Sequence, residues 1–152
     1  MRITLVFLFF TLSSYAFAAS DENKRVYIEF EAAYMSNDAD RFSEWLAEDY
    51  EIKQTLHIPG VGADYRPVTK EQLIASMRRN GKPSSFPRSE QSTVIIETKD
   101  ETKFCGSSST ENQTKVRGKD YQEKEKRKVC FRKDGNRFLA VEHSIDVYFI
   151  AM

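Results

Sequence analysis

The chain has little of several features that mark particular protein classes. Its 152 residues include only 6 glycines and 4 prolines, and its 23 basic side chains are balanced by 23 acidic ones. Sparse glycine and proline without repeats exclude a collagen-like or low-complexity chain. The absence of net charge argues against nucleic acid or an anionic membrane as a partner. The remaining composition is that of one ordinary globular domain.

Metal ligands and long apolar runs are also scarce. The chain has two cysteines, Cys105 and Cys130, and two histidines, His57 and His143, none of them in the close pairs that zinc sites use. We therefore expect neither a metal nor another cofactor. After Ala19 no apolar run approaches the twenty or so residues that span a bilayer.

The first eighteen residues, Met1–Ala18, have the order of a secretory signal peptide. Arg2 gives a positive start, Ile3–Leu12 is mainly apolar, and Ala16-Phe17-Ala18 is a small-residue cleavage site. The alternative, a membrane anchor, needs an apolar core about twice as long. We expect cleavage near Ala18–Ala19 and a periplasmic or secreted single domain over residues 19–152.

Export changes how the two cysteines are interpreted. An oxidising compartment favours a disulfide between Cys105 and Cys130. The two positions are symmetric about Arg117-Gly118, and a two-residue turn there would place them opposite each other on neighbouring strands. Asn112 begins a glycosylation sequon, which matters only if the source is eukaryotic.

Apolar spacing and capping residues predict three helices. Asn37 is suited to end the first helix, Asp38 to cap the second, and the Thr69–Gln72 capping box to open the third, which ends near Asn80. The predicted apolar stripes are Val26, Tyr27, Phe30, Ala33 and Tyr34 in the first helix, Phe42, Trp45 and Leu46 in the second, and Leu73, Ile74 and Met77 in the third.

Strand signals dominate the second half. Alternation predicts a strand over Tyr50–Leu56, glycines and prolines predict a loop over Pro59–Pro67, and Thr93–Thr98 is rich in β-branched residues. Asp134-Gly135-Asn136 is a hairpin turn signal. A three-residue loop there is the register that patterning favours. It pairs Phe131 with Leu139, Val129 with Val141 and Lys128 with Glu142.

Helices followed by long antiparallel strands predict an α+β domain. The expected architecture is a curved antiparallel sheet wrapped around the first and third helices.

Two segments near the start carry a family resemblance. Phe30–Asp40 and Phe42–Asp49, a helix, an Asn-Asp-x-Asp turn and a Leu-Ala-x-Asp ending, resemble the opening of the nuclear transport factor 2-like (SnoaL-like) superfamily. The resemblance implies a cone-shaped, cystatin-like fold with a pocket between sheet and helices. It does not imply one activity, because members include isomerases, dehydratases, hydrolases, cyclases, association domains and carriers.

The ketosteroid-isomerase branch of that superfamily can be compared residue by residue. Its helix tyrosine, its carboxylate base and its late carboxylic acid correspond here to Phe30, Gln54 and Val129. Because all three functional groups are missing, we do not expect that proton-transfer chemistry.

Two residues are candidates for catalysis, His143 and Glu97. His143 shares an apolar strand face with Leu139, Val141, Ile145, Val147 and Phe149, so it is either a general acid or base in the pocket or a buried structural histidine. Glu97 interrupts an apolar run. It pairs with His143 across the sheet if its face points inward, and is a surface charge otherwise.

Six residues are candidate pocket-lining positions, with core packing as the simpler alternative for most of them. They are Tyr34, Trp45, Tyr50, His57, Met77 and Val141. His57 is expected in the loop at the pocket mouth. Lys119–Lys133 holds seven basic residues in fifteen, but acidic residues dilute them, so we interpret this stretch as a solvated strand face.

The leading hypothesis is an exported domain that binds a small apolar ligand or a protein partner without catalysis. One alternative is a cofactor-free dehydratase or isomerase that uses His143 with Glu97 or Tyr34. Another is a dimerisation module that presents the outer face of its sheet, giving a homodimer.

Overall fold

The computed structural model describes residues 7–60, 62–80, 94–116 and 118–152, which form three helices and one six-stranded sheet. The helices are α1 (Phe7–Met35), α2 (Ala39–Ser43) and α3 (Lys70–Asn80). The strands are β1 (Leu46–Ile58), β2 (Gly62–Thr69), β3 (Ile95–Asp100), β4 (Lys103–Val116), β5 (Lys119–Asp134) and β6 (Arg137–Ala151). No helix within these ranges is long and apolar enough to cross a membrane.

The sheet has the order β2-β1-β6-β5-β4-β3. Within it β1 runs parallel to β6, while the other described neighbours are antiparallel. The predicted α+β class is confirmed, and the expected antiparallel sheet is corrected at this one contact. Strand β6 forms an antiparallel hairpin with β5 and lies next to β1 on its other side. The direction that the hairpin gives to β6 is parallel to β1.

Helix α1 supplies the centre of the core. Its predicted stripe is confirmed, since Tyr27, Phe30 and Ala33 are fully buried. The Phe30 ring lies 5.3 Å from the Phe131 ring on β5, and a Cβ atom added to Gly106 on β4 would overlap the Tyr27 ring. Glycine at this position therefore lets the helix rest directly on the sheet.

The chain leaves α1 through the predicted caps. Asn37 has a φ of 53°, and the Asp38 carboxylate accepts hydrogen bonds from the Asp40 and Arg41 N–H groups at 3.1 Å. Helix α2 is nevertheless shorter than predicted, because the Ala140 N–H of β6 donates to the Trp45 carbonyl. This bond draws the chain into the sheet, so that Leu46 begins β1 instead of completing a helical stripe.

The predicted loop over Pro59–Pro67 is largely a strand. A turn at Gly60, with a φ of 77°, returns the chain as β2, where Pro67 pairs with Lys53 of β1. Proline is tolerated there because β2 lies at the sheet edge and needs no donor on its free side. The capping box is confirmed, since Gln72 Oε1 accepts from the Thr69 N–H at 3.1 Å as α3 begins.

The two late hairpins differ in how well their register was predicted. Val116 pairs with Lys119 and Cys105 with Cys130, as the symmetry requires, and the two cysteines form a disulfide. The register of the other hairpin was wrong. Asp134 pairs with Arg137 around a two-residue turn, and the pairs that follow are Phe131–Ala140, Val129–His143 and Lys128–Ser144. A bulge at Val141 restores the alternation, which keeps His143 on the core face.

Candidate functional site

Polar side chains meet between α1 and the inner face of the sheet, beside the apolar core. We call them the inner polar cluster. Its members are Tyr27, Glu31 and Tyr34 of α1, Ser108 of β4, and Glu125 and Arg127 of β5. Helical spacing sets the first three on one side of α1, and strand alternation sets Glu125 and Arg127 on the same face as Val129.

Arg127 is the centre of this cluster. Its Nη1 donates to Glu31 Oε2 at 3.2 Å and its Nε donates to Glu125, while the guanidinium carbon lies 5.2 Å from the centre of the Tyr34 ring. The side chains of Arg127, Glu31 and Glu125 are only 15%, 22% and 19% exposed. The two carboxylates outweigh the burial of Arg127 and raise its pKa, so it stays charged.

Tyr27 connects this ion pair to β4. Its hydroxyl lies 2.8 Å from Ser108 Oγ and 3.3 Å from Glu31 Oε1, and it donates to one of them at a time. Burial raises the pKa of Tyr27 and also that of Glu31, although Arg127 opposes the latter shift. The cluster thus holds a neutral phenol next to a carboxylate whose pKa lies above its usual value.

His143 lies on the other side of Tyr34, with only 1% of its surface exposed. Its ring centre is 5.3 Å from that of Tyr34, and its Nδ1 is in hydrogen-bond contact with the Tyr50 hydroxyl at 3.0 Å. Burial, helped by the charge of Arg127, lowers its pKa to about 3, so the imidazole is neutral at pH 7. Within the described residues, its buried Nε2 has no hydrogen-bond partner.

The structure brings several predicted site residues together. Tyr34 and Tyr50 both contact the His143 ring. Trp45 and Met77 pack at the core, where Met77 is buried and Trp45 lies edge-on to Phe30 at 6.4 Å.

Glu97 does not join them. It lies opposite Cys105 on the outer face of the sheet, whereas His143 is opposite Val129 on the inner face. Its carboxylate accepts a hydrogen bond from Lys128 Nζ at 2.9 Å, which lowers its pKa. The structure therefore supports the surface-charge alternative over a pair with His143.

His57 and Val141 also lie away from the inner cluster. His57 is part of β1, not of a loop, where its Nε2 is 3.3 Å from Asp146 and its ring stacks on Tyr148 at 4.2 Å. Val141 occupies the bulge of β6 and is half-buried.

The sequence interpretation missed Arg127, Glu125 and Glu31. It treated Lys119–Lys133 as one solvated face, which holds for the exposed Lys126 and Lys128 but is wrong for Arg127. Counting back in steps of two from the apolar residues Phe131 and Val129 would have placed Arg127 and Glu125 on the inner face.

Comparisons with known proteins identify the fold. Neither a family model nor a curated protein matches the sequence. Among solved structures, the association domain of C. elegans CaMKII matches with a TM-score of 0.56 and 13% identity, over 84% of this chain and 95% of that one. An NTF2-like protein of unknown function in nutrient uptake from Rhodospirillum rubrum matches with a TM-score of 0.55 and 18% identity, over 80% and 94%.

An enzyme is also among these neighbours. Hexachlorocyclohexane dehydrochlorinase LinA-type3 from Novosphingobium barchaimii matches with a TM-score of 0.55 and 10% identity, over 89% of this chain and 91% of that one. The chain has the nuclear transport factor 2-like fold, as its opening residues predicted. The fold is compatible with enzymes and with association domains alike.

Proposed function

We propose that this chain is an exported, non-catalytic binding domain that holds a small ligand at the inner polar cluster. The observation that carries the proposal is the mostly buried Glu31–Arg127–Glu125 group. Burying charges costs free energy that their mutual attraction often fails to recover, so packing alone gives little reason to place them there. Charged groups on the inner face of an otherwise apolar fold are a functional signal.

The neighbours of the cluster define the ligand chemistry. Glu125 lies opposite Val147, which lies opposite Leu56, and the half-buried Phe149 continues this apolar inner face. Apolar surface next to a few convergent polar groups is the usual composition of a small-molecule site. We therefore infer a mainly apolar ligand that carries one polar group able to exchange hydrogen bonds with Arg127, Glu31 or Tyr34.

The dehydratase or isomerase alternative has less support. A general acid or base works best with a pKa near the working pH, and burial holds the pKa of His143 at about 3. Its Nδ1 is already bonded to Tyr50, and Glu97 lies on the opposite face of the sheet.

The Cys105–Cys130 disulfide supports export, because such bonds persist in oxidising compartments. Together with the signal-peptide pattern of Met1–Ala18, it favours the periplasm or the extracellular space.

Binding can be tested with 2-naphthalenemethanol, a probe with an apolar body and one hydroxyl. We expect ¹H–¹⁵N NMR titration to shift the amides of Tyr34, Leu56 and Arg127. Tyr34→Phe removes a hydroxyl without unpairing a charge, and Arg127→Met removes the guanidinium. Arg127→Met should weaken binding about tenfold, the value of one hydrogen bond to a charged group.

The matched control is Arg132→Met, since Arg132 forms an ion pair with Asp49 at the surface. Equal affinity in the Arg127 and Arg132 variants, or shifts confined to the outer face, would contradict the proposal. Because Arg127→Met leaves two carboxylates unpaired, urea unfolding must first show that each variant folds.

Self-association is a second candidate function. It is favoured by the likeness to an association domain and by apolar side chains on the outer face of the sheet, where Ile95 is 59% and Ile150 is 48% exposed. Light scattering after size exclusion should then give twice the chain mass, and Ile150→Glu should halve it. The mass of a single chain at micromolar concentration would exclude this function.

A further inference from the structure

Strand β4, in the interior of the sheet, contains a run of small residues. Packing against the core explains only some of them. Gly106–Thr110 reads Gly-Ser-Ser-Ser-Thr in β4, where β-branched and aromatic residues would be usual. Gly106 makes room for the Tyr27 ring, and Ser108 forms a hydrogen bond with the Tyr27 hydroxyl. Ser107 and Ser109 point to the opposite face, so α1 does not account for them.

On that outer face the serines border a groove of about 340 Å³. Ser107 is opposite Lys128 and Ser109 is opposite Lys126, and on the far side Lys128 is opposite Ser144. Short serine side chains therefore lie on both sides of the two long lysine side chains. The hydroxyl groups line the bottom of the groove, and the lysine side chains extend beside them. Its volume lies within the range of ligand sites, about 300–1,000 Å³.

The charges in the groove favour an anion. Within the described residues, Lys126 has no carboxylate at salt-bridge distance, and its ammonium lies 5.4 Å from the centre of the Tyr148 ring. Asp146 is the one acidic residue among the described lining residues. It lies opposite Lys126 in the pairing of β5 with β6, and His57 contacts its carboxylate at 3.3 Å. Lys128 is paired with Glu97 of β3.

The hydroxyls are equally available. The hydroxyl groups of Ser107, Ser109 and Ser144 form no hydrogen bond with protein groups in the part of the chain that the structure describes, and each can donate one proton. A tetrahedral oxyanion accepts hydrogen bonds from several such donors at once, and bonds to an ionic partner are the stronger kind.

We propose that this groove, lined by Ser107, Ser109, Ser144, Lys126 and Lys128, binds a phosphate or sulfate ester. The ester oxyanion bonds to Lys126 and to the serine hydroxyls. The rest of the ligand extends towards Ile95 at the groove edge. This site is on the opposite face of the sheet from the inner polar cluster, so it does not depend on the function proposed above.

The test is calorimetric titration at constant ionic strength with glucose 6-phosphate, glucose 6-sulfate and glucose. We expect one or both esters to bind and glucose not to bind. Tighter binding of the phosphate would identify phosphate esters as the ligand class, and tighter binding of the sulfate would identify sulfate esters. Lys126→Met and the triple variant S107A/S109A/S144A should each weaken binding about tenfold.

Lys124→Met is the matched control. Lys124 lies on the same strand and face, but it pairs with Glu111 and does not line the groove. An equal loss in the Lys124 and Lys126 variants would show diffuse charge attraction and overturn the proposal. Absence of ester binding would also overturn it, including absence caused by a dimer that closes the groove.

Discussion

At the scale of single residues, the burial of His143 makes the free energy of unfolding depend on pH. The unfolded chain binds a proton on this histidine near pH 6.5, whereas burial lowers the pKa in the folded protein to about 3. Acid therefore favours the unfolded chain, and the contribution to stability is present above pH 6.5 and is lost as the pH falls towards 3. One such group changes the free energy of unfolding by about 1.4 kcal/mol per pH unit in that window.

Urea unfolding between pH 7 and pH 5, where most carboxylates stay ionised, measures this slope. The double variant His143→Phe with Tyr50→Phe should flatten it without leaving the tyrosine hydroxyl unpartnered. The only other histidine, His57, is 35% exposed in its side chain, so His57→Asn serves as the control. An unchanged slope in the double variant would mean that His143 titrates normally.

Gly106 tests how closely α1 rests on the sheet. A methyl group at this position would overlap the Tyr27 ring, and overpacking of this kind costs about 1–3 kcal/mol. In a Tyr27→Ala background the ring is gone, so Gly106→Ala should cost much less. A double-mutant cycle by urea unfolding gives the coupling, and equal costs in both backgrounds would show that the two residues do not contact.

At the scale of elements, the disulfide fastens β4 to β5. Cys105 and Cys130 are 25 residues apart, and closing a loop of this size stabilises the folded state by about 3 kcal/mol on the chain-entropy model. Urea unfolding with and without reductant should show this difference. The variant C105S/C130S should match the reduced protein, and a smaller loss would mean that the unfolded chain is already constrained.

Elements were predictable from the sequence where their signals are local. The Thr69–Gln72 capping box, the Asn37 and Asp38 caps and the stripe of α1 are set by residues within four positions of one another. The β5–β6 register was not predictable in this way, because it depends on a bulge at Val141 that no local sequence signal indicates.

The inner polar cluster was harder to predict for a different reason. Glutamate and arginine in a strand are usually solvent-exposed. The partner of Arg127 is Glu31 of α1, which lies 96 positions earlier in the chain. Only the tertiary fold joins them. Tyr34 and His143 were recognised as site candidates, but the charges beside them were not.

At the scale of the whole molecule, the division at Ala18–Ala19 can be checked against the contacts of α1. That helix extends from Phe7 to Met35, and its described side-chain contacts with the sheet begin at Asn23, whose amide donates to Thr98 at 3.2 Å. A chain that begins at Ala19 therefore keeps Tyr27, Phe30 and Ala33, which bury fully against the sheet.

We expect intact-mass measurement to show that the exported protein begins at Ala19. A chain produced from Ala19 should unfold at the same urea concentration as the chain that keeps residues 1–18. Phe30→Ala is the control for loss of α1 packing and should cost about 3–5 kcal/mol, the usual value for a buried phenylalanine. If the protein kept residues 1–18 after export, or if the chain from Ala19 were as unstable as the Phe30 variant, the first eighteen residues would belong to the folded domain. The signal-peptide interpretation would then be wrong, and the core would begin earlier along α1.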